Sequence, residues 1–377
     1  MLRTSFFLAA TLIVSSVASV SPASAQPKPV QIITEKAEIH WIDVAPDGSR
    51  LVYSARSPKK EEHDLKVWTI AERPYKFKTI AKGVAGEFSS DGQRIVFYSE
   101  ARLEKPYWVT LIEPTGKEEK GFEAQGIDPT AARASWSPTG RTILYTNRSG
   151  AYLLDIATGE SRQITTKVLT APTWHPSAPE LIFEKKGGGL ARLDVIEGEI
   201  EDLSSRGHVP RYSPDGKQLL YMHDFKIHIM DLETKKSRMI TEGISARWTN
   251  AGLGIVALKE SGTMTKGESF DIADLSATWV SLVDGAQVPL MGKAHGVSMR
   301  SNGRDLYFGV HRDGVYHVKL PALAGESELR KKLGVSDPEE EEEEGGALED
   351  EPVKKFDPPK GRATDKPIDS KVLKAIQ

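Results

Sequence analysis

Short runs of β-branched and aromatic residues alternate with tight polar turns from about residue 30 to about residue 320, and the alternation repeats roughly every forty residues. The clearest copies are Trp136-Ser137-Pro138-Thr139-Gly140-Arg141 before Ile143-Leu144-Tyr145, and Tyr212-Ser213-Pro214-Asp215-Gly216-Lys217 before Leu219-Leu220-Tyr221. Ala45-Pro46-Asp47-Gly48 and Ser90-Asp91-Gly92 are worn versions of the same phrase. Each reads as a strand, a turn whose glycine takes a positive φ, and a second strand. Repeats of this length are stacked supersecondary units, each too small to bury its own apolar face.

With the turn glycine as marker, units fall at Gly48, Gly92, Gly140, Gly216, Gly252 and Gly303, and a degenerate copy lies at Trp174-His175-Pro176-Ser177-Ala178. That makes seven units. A third strand follows each hairpin, and a more polar fourth strand follows in six of them: 75–80, 117–122, 161–165, 200–203, 237–241 and 287–291. The seventh unit lacks one, and 30–35 matches its pattern at the other end of the chain. The expectation is therefore an all-β, seven-bladed β-propeller over 29–321, closed by pairing that N-terminal strand with the last hairpin, which also removes exposed sheet edges. Six blades is the alternative, if the fourth or sixth unit is not a proper blade. The sixth unit carries a long insertion, 261–276, and loops of that kind often carry function.

The chain ends change the picture. Residues 1–25 combine a basic residue, Arg3, an apolar stretch over 6–17 and Ala23-Ser24-Ala25, the pattern of a cleaved secretory signal. The apolar stretch is shorter than the ~20 residues a membrane span needs, so the expectation is an exported, periplasmic or secreted protein cut after Ala25, with no membrane insertion. Cysteine is absent, which excludes disulfides, thiolate metal sites and cysteine nucleophiles. The formal net charge of -3 conceals ten acidic residues and no basic ones within 336–352, so the other residues carry a net of +7. A glutamate run repels itself, and 322–377 is expected to be a disordered acidic tail.

The phrase Tyr212-Ser213-Pro214-Asp215-Gly216-Lys217, with Leu219-Leu220-Tyr221, Met230-Asp231-Leu232-Glu233-Thr234 and Ile240-Thr241, resembles the repeat of the TolB-like, WD-like propellers. That resemblance covers most of 38–320. It implies the fold and a cell-envelope setting, but it leaves function open, because such repeat residues set turns and packing.

The search for chemistry returns little. Gly243-Ile244-Ser245-Ala246-Arg247 and Gly296-Val297-Ser298-Met299-Arg300 lack the second glycine of a nucleophile elbow, and phosphate-cradling, zincin and EF-hand motifs are missing. His40, His208 and His295 each stand eight residues before a turn glycine, so they share one level on the inner strands and could together hold a divalent metal. Oligogalacturonate lyases resemble TolB-like propellers and are thought to use a metal held by histidines near the axis. The competing reading is a packing position, since other units carry Val84, Ala132, Thr170 and Ile244 there. His175 is a further possible ligand. Phe88, Trp136, Trp174, Tyr212 and Trp248, four residues before their turns, are expected to pack between blades. Export and scattered basic residues argue against nucleic acid. The preferred expectation is a non-catalytic monomer that binds an envelope or extracellular protein. The alternative is a metal-dependent polysaccharide lyase or other carbohydrate- or peptide-directed enzyme using the histidines at the channel mouth.

Overall fold

The computed structural model describes residues 27–56, 62–70, 77–99, 108–123, 134–169, 172–260 and 274–333. The expected export signal, nearly all of the 261–276 insertion and the glutamate run lie outside them. Among the described residues there are twenty-seven strands, a short 3-10 turn and one α-helix, Glu326–Leu333.

The fifth unit shows the repeated plan: His208–Tyr212, Gln218–His223, Lys226–Asp231 and Ser237–Glu242 form an antiparallel meander in that order. Four other sheets are likewise four-stranded, and one sheet has seven strands. The seven-stranded sheet runs through the long strand Phe77–Phe88, whose register shifts between Val84 and Glu87. That strand ends one meander and begins the next, so the fourth strand expected over 75–80 continues without a break into its neighbour. Divided there, the sheets make seven four-stranded units.

The turns explain why hairpins form where they do. Gly216 N–H donates to Ser213 O at 2.9 Å, while the Ser213 hydroxyl accepts from Gln218 N–H and donates to Asp215. Gly216 then takes φ +73°, the left-handed value this turn requires. The later Asp-containing turns use side-chain capping instead: Asp155 Oδ1 accepts from the backbone N–H groups of Ala157 and Thr158, and Asp231 Oδ1 accepts from Thr234.

Seven apolar clusters lie between the units, and each draws on two consecutive ones. Val84, Tyr98 and Phe122 meet Trp136 and Ile143; Leu144 and Leu153 meet Leu181 and Phe183; Leu220 and Ile229 meet Ala246 and Ile255. Two more link the fourth unit to the fifth and the sixth to the seventh, and another links the first to the second. The remaining cluster closes the circle, packing Ile33, Tyr307 and Val315 of the last unit against Ile39, Leu51 and Trp68 of the first. Of the five aromatics before the turns, Phe88, Trp136 and Tyr212 are buried in these clusters, while Trp174 and Trp248 are only partly covered.

Closure depends on the strand Val30–Thr34, which pairs antiparallel with Gly314–Lys319 and completes the last sheet. Gly314 is required there, because a Cβ would stand 1.9 Å from the Ile33 carbonyl oxygen.

One expectation needs correction. The tail does not begin at 322, because the helix Glu326–Leu333 is docked on the ring. Glu326, 3% exposed, accepts hydrogen bonds from Asn250 Nδ2, Leu323 N–H and Arg330 Nε. The Arg330 guanidinium lies over Gly303, where any Cβ would collide with it. Glu326 and Arg330 thus lock the helix against the sixth and seventh units.

Stability measurements on four variants test this account. Replacing Ile33 by Ala should lower the unfolding free energy by about 2–3 kcal/mol in denaturant titration, and deleting 27–35 should cause aggregation by uncovering the edge of Gly314–Lys319. A Cβ at Gly140 meets only Ser90 Oγ at 3.7 Å, so G140A should cost about 1–2 kcal/mol for the left-handed backbone alone. A Cβ at Gly216 would stand 2.0 Å from His175 Nε2, so G216A should cost clearly more; equal losses would refute the packing argument.

Candidate functional site

Antiparallel alternation puts Glu38 and His40 on one face of the inner strand Glu38–Val44. A bulge follows at once: Trp41 has φ +48° and the pairing slips between His40 and Ile42. The same device recurs at Ala85 and Val209, directly after Val84 and His208. Bulges re-aim the side chains beside them, so the position eight before the turn glycine is, in these three units, the residue entering a bulge.

What His40 is aimed at is an imidazole cluster at the seam between the first and last units. Its ring lies edge-on to His311 at 4.8 Å and to His63 at 5.1 Å, and His311 in turn lies 6.4 Å from His295. His311 is held by its backbone N–H, which donates to the carbonyls of His295 and Gly296. Glu38 sits beneath them, 6% exposed. Its Oε2 accepts from Arg56 Nε and Nη2 at 3.1 and 2.6 Å, and its Oε1 accepts from Arg312 Nη2 at 2.7 Å. Arg56 comes from the first unit and Arg312 from the last, so one carboxylate ties the seam together.

The electrostatics follow from burial and neighbours. Burial alone would raise the Glu38 carboxyl, but the hydrogen bonds from Arg56 and Arg312 prevail and hold it at about 2. Burial, the other imidazoles and Arg56 push His40 down to about 4. Burial likewise pushes His311 down to about 4 against the pull of Glu38. Both rings are therefore neutral at pH 7. His40 Nε2 and His311 Nδ1 are buried and make no hydrogen bond among the described residues.

The sequence-predicted histidines are thus divided. His40 and His295 share the seam cluster. His208 takes no part in it; its Nδ1 lies 2.8 Å from Glu184 on the adjoining sheet. His175 serves its turn, its Nδ1 accepting from Ser177 and Ala178 N–H while the ring packs on Tyr212. Glu38, His63 and His311 were not singled out from sequence. The signal for Glu38 was present in Glu38-Ile39-His40, two positions apart on one strand. His311 becomes visible only once the last hairpin is placed beside the first unit.

Glu38, His40 and His311 bring one ligand atom each to within 4.8 Å of one another. The set suits a divalent ion in kind, with two neutral imidazoles and a carboxylate. A tetrahedral ion at 2.0–2.1 Å would draw its donors to roughly 3.4 Å apart, so the three must close in. In charge the guanidiniums on Glu38 oppose a cation.

The geometry now meets the comparisons. No protein-family model matches the chain, and no curated protein matches it in sequence. Among solved structures it is similar to an oligogalacturonate lyase in complex with manganese, at 12% identity and TM-score 0.55, covering 79% of this chain and 99% of that one. A second oligogalacturonate lyase, from Vibrio parahaemolyticus, gives 12% identity and TM-score 0.56 over 79% and 95% of the two chains. The fold is a β-propeller. At this identity the likeness speaks for the fold alone. TolB from Acinetobacter baumannii matches with 15% identity over 75% of the propeller's chain and 58% of its own, at TM-score 0.42, too low to argue from. No helix among the described residues of the propeller is long and apolar enough to cross a membrane.

The depressed histidines give the propeller a pH signature. Between about pH 6.5 and 4 the unfolded chain binds more protons at His40 and His311 than the native chain does, so stability falls as pH drops through that window. Glu38 acts in the same direction lower down: its contribution is present above its ordinary value of 4.5 and is lost as pH falls toward 2. Denaturant midpoints of H40Q/H311Q should therefore vary less between pH 6.5 and 4 than those of the parent, with a residual slope from His175 and His228, which burial also lowers. Identical slopes would contradict the assignment.

Proposed function

We propose that this chain is an exported, monomeric, seven-bladed β-propeller that binds a protein partner of the cell envelope on its histidine end. One observation carries the reading. Both oxygens of Glu38, the buried carboxylate at the centre of the cluster, are engaged by guanidiniums from two different units. A carboxylate clamped in this way is an anchor for Arg56 and Arg312 and is poorly placed to move protons in a reaction. The two guanidiniums are themselves partly exposed, at 42% and 59% of the side chain, and so present rigidly held donors to a partner surface. The insertion expected over 261–276 joins the strands Gly254–Glu260 and Asp274–Ser281, and the carboxylate of Asp274, the first described residue after it, lies 3.3 Å from His295 Nδ1. Loops beside a fixed scaffold are where recognition is usually placed.

A second reading is favoured by the bare nitrogens of His40 and His311 beside Glu38. There the two imidazoles would hold a divalent ion able to polarise a bound carboxylate, and the propeller would act on an anionic saccharide as a metal-dependent lyase. The likeness of fold to a lyase solved with manganese supports it as analogy.

Two measurements separate the readings. Pulldown from envelope extract should recover one specific partner with the parent chain and lose it with R56A/R312A; failure to recover any, or retention by that variant, would overturn the first reading. Titration calorimetry with manganese and zinc tests the second. Stoichiometric binding abolished in H40A/H311A would promote the lyase, and no heat with either metal would remove it.

A further inference from the structure

The opposite end of the inner strands, where the turn glycines lie, holds a cavity of about 370 Å³. Its walls come from four consecutive units and the docked helix, and they carry Arg211, Arg247, Arg300 and Arg330 beside Trp174 and Trp248. No carboxylate lines it among the described residues. Arg300 pairs with Asp43 at 2.7 Å and Arg330 with Glu326 at 3.0 Å, both partners lying behind the wall. Four guanidiniums and two indoles around one hollow make a setting for anionic groups, because the planar fork matches carboxylate geometry and is only weakly hydrated.

The chain itself supplies such groups at this place. Leu333, the last residue of the helix, also lines the cavity, so the backbone leaves the helix at the cavity rim. The glutamate run 339–344 begins six residues later. Six extended residues span at most about 20 Å, which is ample for entry from the rim. The helix cannot carry the run elsewhere, since Glu326 and Arg330 fix it through Asn250 and Gly303. A run of like charges and a +7 remainder are complementary only if they meet.

We infer that the arginine-lined cavity at the turn end of the ring is a carboxylate-binding site and that its occupant is the glutamate run 339–344 of the same chain. The site is separate from the histidine end, and the inference does not depend on what binds there. Occupancy is electrostatic and therefore weakens as salt rises.

The absence of cysteine permits a direct test in the full chain. Gly345→Cys, labelled with bimane, leaves all six glutamates in place and reports contact with tryptophan by quenching. At low salt the emission should be quenched severalfold, and it should recover in W174F/W248F, in R211Q/R247Q, and when residues 339–344 are all changed to Gln. The last variant alters nothing in the ring, so it stays informative if the arginine variant fails to fold. Unquenched label at low salt overturns the inference, as does quenching that survives either the glutamine tail or the arginine variant. If the label is unquenched while soluble hexaglutamate or inorganic polyphosphate quenches the protein's own tryptophans, the cavity takes a foreign anion and the tail assignment is refuted.

Discussion

A four-stranded sheet of this kind has apolar residues on both faces and can bury neither alone, so each unit's stability is borrowed from its two neighbours. In an open row the terminal units would each expose one such face and one strand edge. The pairing of Val30–Thr34 with Gly314–Lys319 prevents both at once. It completes the last sheet, and it brings Ile33, Tyr307 and Val315 against Ile39, Leu51 and Trp68. No disulfide shares this task, since the chain has no cysteine. Burying an aliphatic side chain of this size contributes about 1.5–3 kcal/mol, so a handful of contacts at the seam decides whether the other six interfaces persist.

The seam also creates the histidine site. Glu38, His40, Arg56 and His63 belong to the first unit, His311 and Arg312 to the last, and His295 ends the fourth strand of the sixth. Neither half has the cluster by itself. Glu38 bridges them in the other direction as well, because its two guanidinium partners come one from each side. Taking either arginine away would leave a buried carboxylate undercompensated, which is costly in a way that losing an exposed ion pair is not. Site and closure are consequently one construction: whatever strains the seam moves the imidazoles, and whatever binds the imidazoles and guanidiniums reinforces the seam.

The fold was legible because its determinants are local and repeated. Ser-Pro-Asp-Gly specifies its own turn through Ser213, Asp215 and Gly216, and the strand pattern needs no knowledge of distant partners. The N-terminal strand was legible by subtraction, one fourth strand being missing. The site was legible only in part, because equal offset from a turn fixes height along the strand but not angle around the ring. His208 has the right offset and sits on a different sheet pair, against Glu184. His311 has no equivalent offset and sits at the centre. The docked helix escaped notice for another reason: Glu326 and Arg330 are fixed on the ring by Asn250 and Gly303, which lie far away in sequence.

The bulge after His40 bears on how much weight that position can carry. A bulky residue such as Trp41 in left-handed backbone is strained by an amount of order 1–3 kcal/mol, and strain of this sort often marks a functional site. Here the same strain occurs at Ala85 and Val209, where the preceding residues are Val84 and His208. Val84 is 3% exposed and packs in an inter-unit cluster. The bulge is therefore an architectural feature of the inner strand, tolerated because two flanking sheets hold it, and not a specialisation for chemistry. What distinguishes the seam is the company the bulge gives its residue. In the second unit the re-aimed side chain meets valines and tyrosines, in the fifth it meets Glu184, and in the first it meets two further imidazoles above a clamped carboxylate. The first unit thus differs from the second and fifth in the neighbours of that position, while the backbone device is the same in all three.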